Sequence, residues 1–121
     1  MFLYDVFLIC PVRNADEGQK ERMVAYIKGL EDSGKKVYYP ARDTDQKDHV
    51  GYRICTDNTE AIKSAREVHV FFDPKSQGSL FDLGVAFALN KKLVIVNRDE
   101  VQATEGKSFA NMIILWSQVS S

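Results

Sequence analysis

Charge of one sign, a metal-type cysteine spacing and a glycine-rich phosphate loop are all missing from this 121-residue chain, and each absence removes a class of function. Sixteen basic residues against seventeen acidic ones leave a net charge of −1. The lysines and arginines form no stripe, so nothing marks a nucleic-acid polymer as partner. The two cysteines, Cys10 and Cys55, are far apart in sequence. They read as reduced thiols of a cytoplasmic protein, and no metal is expected. The apolar start, Met1 to Cys10, lacks the basic flank, length and small-residue cleavage site of a signal peptide and reads instead as a first strand, with no membrane partner. The turn that follows is Cys10-Pro11-Val12-Arg13-Asn14. It matches neither a dinucleotide nor a P-loop fingerprint, and no cofactor is expected. Repeats, linkers and low-complexity segments are absent too, so residues 1–121 read as a single domain.

What is present suits an ordinary core, with 45% hydrophobic and 27% charged residues. Leu3 to Ile9 is strand-like. Asn14 with Glu17 has the spacing of a capping box, opening a helix in which Met23, Ile27 and Leu30 recur at helical spacing until Gly34 ends it. Val37 to Tyr39 is a brief strand closed by Pro40, and the polar stretch Ala41 to Asp48 reads as a loop over the ligand crevice. A second helix is expected from Val50 to Arg66, with Ile54, Ala61, Ile62 and Ala65 facing the sheet. Val68 to Phe72 reads as the third strand and Leu93 to Val96 as the fourth. Met112 to Trp116 fits either a helix face or a strand, and its β-branched content favours a fifth strand. Strands alternating with helices imply a parallel sheet with helices on both faces.

The third strand runs into Asp73-Pro74, and the residue before a proline is pushed out of the helical region. Gly78 then permits a turn, and Ser79 with Asp82 reads as a capping box opening an interior helix, Leu80 to Leu89, in which Gly84 allows close approach to the sheet. On this reading Asp82 lies in the first helical turn, where the helix dipole favours its charged form. It faces the crevice at the carboxyl ends of the strands beside Ser76, Gln77 and Ser79, where open α/β folds bind ligands. A phospho-acceptor receiver domain would use an aspartate placed as Asp73 is, but the acidic pair such a domain needs after the first strand is absent. Cys10 as a nucleophile would need His49 or His69 as its base, and His69 lies inside a strand pattern.

An apolar strand ending in Asp73, a short turn, and then Gly78-Ser79-Leu80-Phe81-Asp82-Leu83-Gly84-Val85-Ala86-Phe87-Ala88-Leu89-Asn90-Lys91-Lys92 before another apolar strand resembles the nucleoside 2-deoxyribosyltransferase family and its relatives that hydrolyse nucleotide N-glycosidic bonds. Pro11, Asp57 and Asn111-Met112-Ile113 extend the resemblance over most of the chain. It implies a flavodoxin-like three-layer αβα sandwich with a parallel four- or five-stranded sheet, binding a small-molecule nucleoside or nucleotide. By resemblance Asp82 is the catalytic carboxylate that attacks the anomeric carbon, standing where the family has a glutamate, and Ser76 stands where the transferases carry a second acid. Asp57 falls near the family's acidic helix position and is the second catalytic candidate. Cys10, Pro11, Arg13, Asp73, Ser76, Gly78, Ser79 and Asn111 are the substrate-binding candidates, Arg13 for a substrate phosphate. Asn111 resembles an asparagine that the family lends to a neighbouring subunit. With the apolar run through Trp116, it implies a homodimer or higher homo-oligomer. A non-catalytic nucleotide-binding or signalling module on the same scaffold is the alternative.

Overall fold

A computed structural model describes residues 1–121. Four strands, β1 (Tyr4–Ile9), β2 (Val37–Tyr38), β3 (Ala65–Val70) and β4 (Lys92–Ile95), form one parallel sheet in the order β2-β1-β3-β4. Side chains alternate across it. Val6, Leu8 and Cys10 face α1 (Glu17–Asp32), packing with Met23 and Ile27 in a cluster of eight buried residues. Phe7 and Ile9 face the other way, into a larger cluster built with α3 (Tyr52–Lys63), α4 (Gln77–Ala88) and α5 (Phe109–Val119). This is the flavodoxin-like three-layer arrangement, with four strands rather than five.

Several boundaries differ from the sequence reading, each for a local reason. The cap of α1 is Asp16, which exchanges hydrogen bonds with Gln19; the Asn14 and Glu17 pair lies too early. Pro40 does more than close β2. Its fixed φ suits the first position of a helix, and it opens the four-residue α2 (Pro40–Asp43) inside the stretch expected to be loop. Ala65 and Arg66 belong to β3, not to the preceding helix, because α3 ends at Lys63 and Ala65 pairs with Tyr4 across the sheet. Helix-favouring side chains there give way to tertiary pairing.

The largest correction concerns residues 112–116, which are part of α5 and not a strand. Ser108 caps this helix by accepting from the Asn111 N–H. Ile113, Ile114 and Trp116 are buried in the larger cluster, and the Trp116 indole donates to the Lys91 carbonyl at 3.0 Å. β-branched content is a weak preference that burial of a helical face outweighs. The helix α4 starts at Gln77, three residues before Leu80, because Ser76 caps it by accepting from the Ser79 N–H. No capping box forms between Ser79 and Asp82, and Gly78 lies inside the helix rather than in a turn. Nor is α4 an interior helix. Ser79, Asp82, Leu83 and Ala86 form its buried side, while Phe81, Gly84 and Phe87 are exposed, and nothing lies close to Gly84.

Candidate functional site

The strand order reverses between β1 and β3, which is where an open parallel sheet leaves a crevice beyond its carboxyl ends. Cys10 follows β1 there, Phe71 to Asp73 follow β3, and α4 brings Asp82 to the same end. The first two segments are held by backbone and side-chain bonds beyond the strands themselves. Phe71 N–H donates to the Ile9 carbonyl at 2.9 Å. Asn97, buried just after β4, accepts from the Phe72 N–H at 2.8 Å and donates to the Phe72 carbonyl at 2.9 Å.

Asp82 is only 6% exposed. It sits one turn further into α4 than the sequence suggested, so the helix dipole does not keep it charged. Burial pushes its carboxyl up to about 7, and a hydrogen bond from Asn58 partly counters this. That bond, from Asn58 Nδ2 to Asp82 Oδ2, is 3.4 Å long. Oδ1 has no partner within the chain, yet no fully buried side-chain oxygen lacks one, so Oδ1 keeps some contact with solvent. The site therefore holds a carboxylate with one unpartnered oxygen, and burial brings its titration close to neutrality. Behind Asn58 the bonds continue inward, from the Thr44 hydroxyl to Asn58 Oδ1 at 2.8 Å and between Thr44 and the Tyr38 hydroxyl at 2.5 Å.

Asp57 points elsewhere. It pairs with Arg53 at 3.1 Å and helps line a polar cavity of about 260 Å³ with Asp45, Lys47, Asp48 and Arg53. The residue of α3 that reaches Asp82 is its neighbour Asn58. Cys10 and Pro11 are buried at the end of β1, and Arg13 is exposed beyond them. Burial, and secondarily the charge of Asp82, push the Cys10 thiol up to about 12, so it holds its proton at any physiological pH and is a poor nucleophile. The same two causes raise the Cys55 thiol, with Asp48 adding to them. His69 is no base for Cys10, because Tyr26 occupies one ring nitrogen at 2.6 Å and Glu67 the other at 2.7 Å. Asp73 accepts from the Lys75 N–H, and Ser76 and Ser79 bond to each other in the α4 cap, while Gly78 faces open space. Asn111 is fully engaged inside its own subunit, where its amide bonds to the backbone of Thr104 and Gly106 at 2.8 to 2.9 Å.

The polar residues that sequence reasoning passed over are Tyr38, Thr44, Asn58 and Asn97. Asn58 carried a usable signal, since it falls four residues after Ile54 and four before Ile62, on the stripe that faces the sheet. Asn97 had only its place at the end of an apolar strand.

No protein-family model matches this chain, and no curated protein sequence does. Among solved structures it is similar to the TIR domain of a Toll-related receptor from Hydra magnipapillata, with a TM-score of 0.62 at 18% identity over 89% of this chain and 78% of that one. It is equally similar to a 2-deoxyribosyltransferase from Bacillus psychrosaccharolyticus, with a TM-score of 0.62 at 16% identity over 90% of this chain and 89% of that one. Both likenesses are of fold alone. No helix is long and apolar enough to cross a membrane.

Proposed function

We propose that the crevice binds a nucleoside or nucleotide and that Asp82 cleaves or transfers across its N-glycosidic bond, as a nucleoside 2-deoxyribosyltransferase-like enzyme of the cytoplasm. The observation that carries this reading is the single buried carboxylate, with one oxygen free of any partner in the chain, on the helix that reaches the strand ends where this fold takes ligands. In its charged form Asp82 attacks the anomeric carbon. A C–O bond forms as the C–N bond breaks, the base leaves with the electron pair and takes a proton from water, and the charge of Asp82 stabilises the oxocarbenium-like centre in between. Water or a second base then attacks the same carbon and restores the carboxylate. At the same end of the sheet the Phe72 and Phe109 rings lie parallel, 6.2 Å apart, and Phe109 is partly exposed, an apolar surface on which a base can stack.

Incubating the protein with nucleosides and nucleoside monophosphates, and following free base by chromatography, tests the reading. Asp82→Asn is expected to lose essentially all release. Because the nucleophile must be ionised, kcat/KM in the wild type is expected to climb through about pH 7 and level off above it. A rate that falls above pH 7 would make Asp82 a proton donor instead, and full turnover in Asp82→Asn would remove it from the chemistry.

The second reading, a non-catalytic nucleotide-binding or signalling module, is favoured by the equal likeness to the TIR domain. Saturable nucleotide binding with no base released, from wild type and Asp82→Asn alike, would favour it. Under either reading we expect a homodimer or a higher homo-oligomer. The apolar run at residues 112–116 leaves little surface for a partner, since Ile113, Ile114 and Trp116 are covered within the subunit. What supports assembly instead is the outer surface of α4 and α5, where Phe81, Phe87, Leu115 and Val119 are exposed on helices whose only charged residue is the buried Asp82. Sedimentation at micromolar concentration should find dimers or larger species; a lone monomer would end the oligomer reading.

A further inference from the structure

We propose that Tyr38, Thr44 and Asn58 are positioning residues, a hydrogen-bonded chain that locks the Asn58 amide with its nitrogen toward Asp82 and so sets the orientation and acidity of that carboxyl group. The inference rests on Asp82 being the reacting group. Its support is donor and acceptor accounting. The Thr44 hydroxyl has one proton and donates it to Asn58 Oδ1. In the contact with Tyr38 it must therefore accept, and the phenol donates. With its oxygen committed to Thr44, Asn58 has only its NH₂ to offer Asp82. A flipped amide would set an oxygen against the carboxylate and take from the Thr44 proton the acceptor it has in Asn58 Oδ1.

The chain starts from a fixed point. The Tyr38 ring stacks on Phe7, with centroids 5.3 Å apart and planes 8° from parallel, and meets the Tyr4 ring edge-on at 5.1 Å. Its hydroxyl is thus placed by the core. Tyr38 belongs to β2, Thr44 ends α2, Asn58 lies on α3 and Asp82 on α4, so the chain ties four elements to one carboxyl group. Tyr38, Thr44, Asn58 and Asp82 are each under a tenth exposed. In such surroundings, hydrogen bonds are strong and their directions are hard to reverse. Cys10 on the β1 side and Cys55 on α3 are the titratable groups that Asp82's charge reaches; Asp57 and Asp43 reach Tyr38. None of these is a cation, so the Asn58 amide is the group that steadies the charged carboxylate.

The test reads the Asp82 carboxyl carbon by NMR across a pH titration, without substrate, in folded variants checked by circular dichroism. Thr44→Val keeps the shape and removes the hydroxyl, which frees the amide to flip. The Asp82 midpoint is expected to rise so that its proton is held about three- to tenfold more tightly. Asn58→Leu is expected to raise it at least as far, and Thr44→Ser, which restores the hydroxyl, to return it to the wild-type value. Base release should follow, with its rising limb displaced to the same higher pH and its plateau KM unchanged. An Asp82 midpoint unmoved in both Thr44→Val and Asn58→Leu overturns the proposal. If Thr44→Val does not fold, Tyr38→Phe decides in the same way, since it deletes one oxygen from the far end of the chain. A wild type that releases no base defeats the enzymatic reading alone, because a shifted midpoint still upholds the chain.

Discussion

At pH 8 the Asp82→Asn protein should be more stable than the wild type, by about 2–4 kcal/mol, and at pH 4 the difference should nearly vanish. The sign follows from the direction of the shift. An aspartate ordinarily titrates at 3.8, and burial moves Asp82 to about 7. Below about pH 4 the carboxyl is protonated in folded and unfolded chains alike, and it costs nothing. Between 4 and 7 the unfolded chain releases the proton while the folded one keeps it, so stability falls as pH rises. Above 7 the whole penalty is present, at most about 4 kcal/mol for a displacement of this size. Asparagine removes the charge, retains the shape and can still accept from Asn58. Thermal unfolding at the two pH values measures the effect. Equal melting temperatures for variant and wild type at pH 8 would show that Asp82 is not held in a hostile environment. A fold that retains such a group is keeping it for something other than stability, which is why the same variant is expected to be both sturdier and inactive.

Asn97→Ala is expected to cost about 2–4 kcal/mol, seen as a lowered urea midpoint with an unchanged slope. Asn97 makes two bonds to one residue, to both the N–H and the carbonyl of Phe72, and Asn97 and Phe72 are both buried. Truncation leaves two buried backbone groups without partners, each worth about 1–3 kcal/mol. Base release should fall with it, since Phe72 begins the turn that carries Asp73 and Ser76 to α4. Asn97→Asp should be no rescue, because it removes the donor and sets a carboxylate beside the Phe72 carbonyl. A midpoint within experimental error of wild type for Asn97→Ala would mean that this bracket adds nothing to the fold.

The layered architecture was legible because it rests on patterns the chain states plainly. Prolines follow three apolar runs at Pro11, Pro40 and Pro74, and the Met23, Ile27 stripe has helical spacing that only α1 can satisfy. Boundaries were less legible where two residues compete for the same role. Asn14 and Asp16 are both capable caps, as are Ser76 and Ser79, and the choice between them depends on where the preceding turn delivers the chain. For residues 112–116 the local preference pointed one way and the buried face of α5 the other. For Asp82 the motif gives the helix but not the environment, since a start at Ser76 puts it one turn further along α4 and exchanges the favour of a helix end for the penalty of burial. The acidic helix position that the resemblance assigns to Asp57 faces Arg53, whereas Asn58, on the sheet-facing stripe, is the residue of α3 that bonds to Asp82.

An open parallel sheet has two margins at which another chain can pair and extend it, and the margin at β4 is closed by side chains rather than by a strand. The Leu93 N–H points away from β3 and is taken by the Ser120 hydroxyl at 3.0 Å, just past the end of α5, while the Lys91 carbonyl is taken by Trp116. An incoming strand would have to strip both bonds before its own ladder could begin, and β4 offers only four residues in return. The segment that looked like a fifth strand thus guards the place such a strand would occupy, which gives α5 a part in keeping separate molecules from joining sheet edge to sheet edge.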